Sequence, residues 1–190
     1  MAVATAFHDD APATFRARAN RIGLWLFIAS ETFLFAAIIS TRYALAGTDR
    51  PEHLNQGLAL AITSVLLCSS ISAYMAETSI VRGDRTSFLR FTWLTIALGL
   101  MFMVGVTLEW NEGLRDFPPG TIYGSIFFTL IGLHAFHVAT GLLALLVVAN
   151  LGHRGHFGTG SSWGVEGCVK YWHFVDLAWV VIYPTLYLVS

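Results

Sequence analysis

Apolar residues gather in five long blocks separated by short polar stretches, at about 22–45, 57–81, 88–110, 121–151 and 171–189. Each block has about the length that crosses a bilayer as a helix, which takes roughly 20 mostly apolar residues. Hydrocarbon offers no water to pair with backbone amides and carbonyls, so a spanning block must satisfy its own backbone as a helix. The pattern predicts an all-α integral membrane bundle of five transmembrane helices.

The polar punctuation divides the chain. Residues 1–20 hold Asp9, Asp10, Arg16 and Arg18 without an apolar run, which predicts a flexible tail and no cleavable signal. Residues 21–190 form the five-helix domain. Gly83 and Asp84 mark one turn, while Pro51 and the pair Pro118 and Pro119 mark two on the opposite side. The longest connection, 152–170, is rich in Gly, Ser and His, and Pro184 predicts a kink in the last helix.

Composition sharpens this picture. Hydrophobic residues make up 55% of the chain and charged residues 12%, against about 25% charged in a soluble domain. A net charge of −1 argues for neither a nucleic-acid partner nor a polybasic lipid switch. The two cysteines, Cys68 and Cys168, fall on different helices and read as packing residues. Basic residues are unevenly shared between the two sides. Eight (Arg16, Arg18, Arg21, Arg82, Arg85, Arg90, Arg154 and Lys170) fall on the side of the N-terminus, and three (Arg42, Arg50 and Arg115) on the other. The positive-inside rule then places the N-terminus, with its tail, in the cytoplasm and the C-terminus outside. Trp25, Trp110, Trp163 and Trp172 are expected near the interfaces. Thr63, Ser64, Ser69, Ser70 and Ser72 give the second helix a small polar packing face.

Ionisable residues inside hydrocarbon carry the most information, since a central carboxylate costs roughly 2.5–3.5 kcal/mol on insertion scales. Glu31 lies ten residues beyond Arg21, about 15 Å deep at the helical rise. His134 and His137, spaced i,i+3, share a face of the fourth helix. That helix runs back towards the cytoplasm, so His137 reaches a depth like that of Glu31 and can pair with it. Glu77, His173 and Asp176 are expected as a polar cluster near the cytoplasmic ends of the second and fifth helices, with Arg82 and Arg85 as counter-charges. Glu109 and Glu112 are expected at the outer edge of the third helix, within reach of water. The plain alternative for each histidine is helix packing, and a Glu31–His134–His137 metal site has no supporting pattern. On the residues alone the chain fits a transporter, a quinone or haem protein, or an accessory subunit.

Three segments go further. The first helix reads Gly-Leu-Trp-Leu-Phe-Ile-Ala-Ser-Glu-Thr-Phe-Leu-Phe from Gly23. The fourth reads Tyr-Gly-Ser-Ile-Phe-Phe-Thr-Leu-Ile-Gly-Leu-His-Ala-Phe-His-Val-Ala-Thr-Gly from Tyr123, and the fifth opens Tyr-Trp-His-Phe-Val-Asp-Leu-Ala-Trp from Tyr171. In order and spacing these resemble the signature segments of subunit III of haem–copper oxidases. Gly83-Asp84-Arg85, Glu109-Trp110 and Glu166 support the match, which covers about 21–190.

The resemblance implies a non-redox subunit of an oxygen-reducing proton pump, in the short five-helix bacterial form and in the cell membrane. It implies contact with subunit I, the company of subunit II and a small subunit IV, and bound phospholipids. Haems and copper are expected in the partner subunits and none in this chain. It also implies that Glu31 and His137 are the family's reactive glutamate and its partner histidine, supporting proton uptake and protecting the oxygen site. Arg82, Arg85 and Arg90 are the candidates for lipid head groups. Lys170 departs from the family, which often has an aromatic there. A quinol oxidase subunit, the related small subunit of a nitric oxide reductase, or a free-standing proton-coupled transporter are the alternatives.

Overall fold

The structure, a computed structural model, describes residues 13–48, 56–157 and 162–189. Asp9, Asp10, Arg50, Pro51 and residues 1–12 of the expected tail lie outside the described residues. Five α-helices follow one another: α1 (Ala13–Ala46), α2 (Gln56–Val81), α3 (Arg85–Asp116), α4 (Ile122–His153) and α5 (Trp163–Tyr183). A π-helical turn, Pro184–Leu188, closes the chain. No strand occurs among the described residues. Helices α1 to α4 are long and apolar enough to cross a membrane; α5 carries Glu166, Lys170 and Asp176 within 21 residues. The helix α1 begins at Ala13, so residues 13–20 of the expected tail are helical.

Local chemistry sets the ends. Asp84 caps α3 by accepting a hydrogen bond from the Ser87 amide at 3.0 Å, and Thr121 caps α4 by accepting from the Gly124 amide at 3.0 Å. The turn between α2 and α3 passes through Gly83 at φ +79°, a left-handed conformation that glycine adopts without steric penalty. At the far end of α4, Arg85 donates from Nε to the Gly152 carbonyl at 2.9 Å and from Nη2 to that of His153. A cation there satisfies orphan carbonyls and complements the helix dipole. Pro184 has no amide hydrogen, and at that residue α5 loosens into the π turn. Tyr123 then holds the turn by donating to the Leu186 carbonyl at 2.9 Å.

Helices α2, α3, α4 and α5 close a ring, each packed on its neighbours and α5 returning to α2, while α1 leans from outside on α4 and α5. Only 6% of the apolar window of α1 is buried, against 39–44% for α2, α3 and α4. The small polar face of α2 is what packs: Thr63, Ser69 and Ser72 are buried, and Ser72 bonds Thr95 of α3 at 2.7 Å. Two indoles of α5 also find donors' partners there, Trp172 Nε1 at Ser69 Oγ (3.0 Å) and Trp179 Nε1 at Thr63 Oγ1 (2.9 Å).

Trp172 is fully buried, not interfacial as its position in the sequence suggests. Its ring occupies a slot made by two glycines. A Cβ at Gly99 of α3 would stand 2.7 Å from the indole, and one at Gly141 of α4 would stand 2.9 Å away. Gly105 of α3 likewise leaves space for Ile62 of α2, and Gly152 for Phe88. Small residues at these crossings let the backbones approach closely, which is how helices associate where lipid is as apolar as leucine.

Gly141→Ala should therefore destabilise the protein by about 1–3 kcal/mol, the usual range for overpacking a filled core. Gly23→Ala, where an added Cβ meets nothing within 4 Å, should not. Thermal unfolding of the detergent-solubilised protein, followed by aggregation onset, distinguishes the two; equal midpoints would refute the slot.

Candidate functional site

Glu31 and His137 meet across α1 and α4, with His137 Nε2 3.0 Å from Glu31 Oε2. His137 Nδ1 lies 2.8 Å from the Leu133 carbonyl oxygen. A carbonyl oxygen only accepts, so Nδ1 carries a hydrogen and donates it. Nε2 and Oε2 are then left to share a single proton. The pair is either imidazolium with carboxylate or imidazole with carboxylic acid, and both forms are neutral overall. That neutrality is what a low-dielectric site tolerates, because an isolated charge there is strongly disfavoured.

The turn of α4 that carries His137 is held from α5. Thr140 Oγ1 and the Tyr171 hydroxyl lie 2.9 and 3.3 Å from the His137 carbonyl oxygen and 2.8 Å from one another, so one donates to the carbonyl and the other to its neighbour. Phe35 of α1 covers the imidazole, with ring centroids 5.1 Å apart. These supporting residues went unremarked as site residues in the sequence, although Tyr171 opens the fifth-helix segment and Thr140 lies one turn beyond His137. The imidazole is 7% exposed and the Glu31 side chain 20%, so the carboxyl is the open end of the pair. It opens into a cleft of about 1110 Å³ between α1, α4 and the start of α5.

One end of this cleft is charged. Glu166 of α5 receives Arg21 of α1 at 3.5 Å and Lys170 from one turn along α5. Each cation also lies 6.0 Å from the centre of the Trp163 ring. The Lys170 hydrogen bond, helped by the charges of Lys170 and Arg21, holds the Glu166 carboxyl below the usual carboxylate range. This rim places Arg21 level with Glu166 and fixes the register of α1 on α5.

Other expected site residues fall elsewhere. His134 is fully buried but does not join the pair: neither ring nitrogen has a hydrogen-bond partner among the described residues, and the ring lies 4.8 Å from Trp179 and 5.7 Å from Phe102. His173 Nδ1 bonds Ser70 of α2 at 2.6 Å. Asp176, 4% exposed, has the Ser70 hydroxyl as its polar neighbour. Glu77 instead has Glu166 and Lys170 as charged neighbours. Glu77, His173 and Asp176 thus form no single hydrogen-bonded set among the described residues. Arg85 caps α4 rather than balancing Glu77, and Arg82 and Arg90 are exposed.

The outer end holds a second departure. Glu109 is buried at 4% exposure, whereas its place near the end of a hydrophobic block suggested contact with water. The π turn after Pro184 folds the C-terminal segment over α3 and sets Tyr187 against the Glu109 carboxyl. Glu112, one turn on, is exposed. Arg42, one of the three outer cations, is fully buried, bonded to the Gly47 carbonyl and 5.2 Å from the Tyr123 ring centre. Among the described residues, no group of three or more His, Cys, Asp and Glu could hold a metal ion. The arrangement at α1 and α4 can hold and exchange one proton in the wall of an apolar cleft.

The sequence of the chain matches the model of the family described as cytochrome c oxidase subunit III over residues 4–190. It is similar to cytochrome c oxidase subunit 3 of Dasypus novemcinctus, 35% identical over 179 residues that cover 88% of this chain and 68% of that protein. The same protein of Halichoerus grypus matches to the same extent, and that of Equus caballus is 33% identical with equal coverage. With a family match over nearly its whole length and relatives aligned along most of theirs, the chain belongs to the cytochrome c oxidase subunit III family.

Proposed function

We propose that the chain serves a proton-pumping cytochrome c oxidase as its non-redox membrane subunit, with Glu31 and His137 holding a proton beside a lipid-filled cleft. The observation that carries this reading is the 3.0 Å contact between His137 Nε2 and Glu31 Oε2. It couples a loosely packed outer helix to the bundle through a group that must share one proton. In this reading the chain packs on subunit I, with subunit II and a small subunit IV in the same complex, and the haems and copper belong to subunits I and II. It supports proton uptake and the lifetime of the oxygen-reducing site.

The same reading makes α5 the fifth span. From Tyr171, α5 and the π turn together run to Leu188, within the range of about 17–25 residues that crosses a bilayer core. Glu166 and Lys170 then sit at the interface, and Asp176 is screened from lipid by protein. The eight-to-three division of basic residues puts the N-terminus in the cytoplasm and the C-terminus outside a bacterial plasma membrane. Lipid head groups are better served by Arg21 and Lys170 beside Trp163 than by Arg85, whose guanidinium is engaged on α4.

Glu31→Ala should leave the haem and copper spectra of the purified complex unchanged while shortening its catalytic lifetime several-fold, counted as turnovers before inactivation. Glu31→Gln, which keeps the length and a hydrogen bond but cannot share the proton, should shorten it as well. A Gln variant as durable as the parent would reduce the pair to a structural tether, and an altered haem spectrum in an assembled complex would overturn the role. Orientation has its own check in a chain carrying Cys68→Ser and Cys168→Ser. There, Gly120→Cys should react with an impermeant maleimide from outside intact cells, and Arg82→Cys only after permeabilisation. The reverse pattern would invert the topology.

A further inference from the structure

On the other side of α1, away from the Glu31 cleft, α1 and α5 enclose a separate groove of about 480 Å³, within the size range of small-molecule sites. It runs along α1 from Trp25 to Ile39 and along α5 from Lys170 to Val181. On α5 that is about 16 Å at the helical rise, close to half of a hydrocarbon core roughly 30 Å thick. Since Arg21 stands level with Glu166 through their 3.5 Å ion pair, Trp25 and Lys170, each four residues further on, share one end of the groove. Polar chemistry is concentrated at that end, in Lys170 and His173, and beyond it the walls are Phe35, Phe174, Leu177 and their apolar neighbours.

The shape selects its occupant. A partner's transmembrane helix would need a surface running through both leaflets, about 20 residues long, whereas this groove is one leaflet deep and capped by a cation. An ammonium has three donors and Glu166 takes one of Lys170's. His173 spends Nδ1 on Ser70. Lys170 retains donors for an oxyanion, His173 offers Nε2–H in the tautomer whose Nδ1 accepts from Ser70, and an indole at the same level is at home in the head-group layer. We infer that this groove holds one acyl chain of a phospholipid whose phosphate is bound by Lys170 and His173. The inference rests on the membrane placement proposed above but not on the lipid of the Glu31 cleft.

The test uses the whole oxidase complex, delipidated in mild detergent and reloaded with dioleoyl phosphatidylglycerol, with bound lipids counted by native mass spectrometry. Filling the groove with Ala36→Leu and Ala178→Leu should remove one lipid per complex. Lys170→Gln leaves the groove open and should weaken that lipid about fivefold, the order expected for one lysine at a lipid surface. Ala144→Trp, which fills only the Glu31 cleft, should leave this lipid in place. Dioleoylglycerol, which has no phosphate, and oleate should compete poorly. An unchanged lipid count in both the filled and the Lys170→Gln complexes would overturn the inference. So would binding of dioleoylglycerol or oleate as strong as that of phosphatidylglycerol. Release of a partner subunit from the filled complex with no loss of lipid would overturn it in favour of a docking surface.

Discussion

The bundle turns on one indole. Trp172 leaves α5, donates to Ser69 of α2 and lies against Gly99 of α3 and Gly141 of α4, so a single side chain touches every other helix of the ring. In water such a residue would be driven inwards by the loss of apolar surface to solvent. In a bilayer that force is absent between helices, and close packing with a few hydrogen bonds, of the order of 0.6 kcal/mol each, must suffice. Glycine at two of the three contacts makes the fit close, and serine at the third satisfies the one polar atom. The bonds from Trp179 to Thr63 and from Ser72 to Thr95 repeat the device at other depths.

The ring is therefore self-sufficient, and α1 is not part of it. With so little of its surface buried, α1 is joined to the ring by the Glu31–His137 pair, by the Arg21–Glu166 pair at the rim, and by apolar contacts that include Phe35 and Phe27, the latter 6.0 Å from Tyr171. On either side it leaves an apolar recess. A helix held in this way leaves these apolar clefts open, where a tighter crossing would close them.

Much of this was legible in the sequence, for physical reasons that can be named. Five helices follow from block length alone. The meeting of Glu31 and His137 follows from equal depth on helices of opposite direction, since a rise of 1.5 Å per residue is a ruler. What the ruler cannot supply is azimuth. His134 is one turn from His137, yet its ring packs among aromatics of α3 and α5. Glu77 is level with Asp176 but faces Glu166 and Lys170. Trp172 and Glu109 were misjudged because an interfacial residue and a buried one look alike near the end of an apolar block; burial came from Gly99, Gly141 and the π turn, all remote in the chain. Arg85 read as a lipid or carboxylate partner, and its carbonyl partners on α4 lie 67 and 68 residues away.

Structure and chemistry cannot be separated at Glu31. The His137 ring is oriented by its own backbone, through Nδ1 and Leu133, and by Phe35, which belongs to α1. The carboxyl that shares the proton is thus carried by the same helix that shields the imidazole from lipid. If α1 moves away, the proton loses its second acceptor and the imidazole loses its cover together. If the proton leaves, a net negative charge remains at the contact, and low dielectric penalises that charge while water or a head-group cation can stabilise it. A shared proton and a helix contact are thus one feature at this position, and in the role proposed above that is what would let a subunit without a redox centre act on a proton pump.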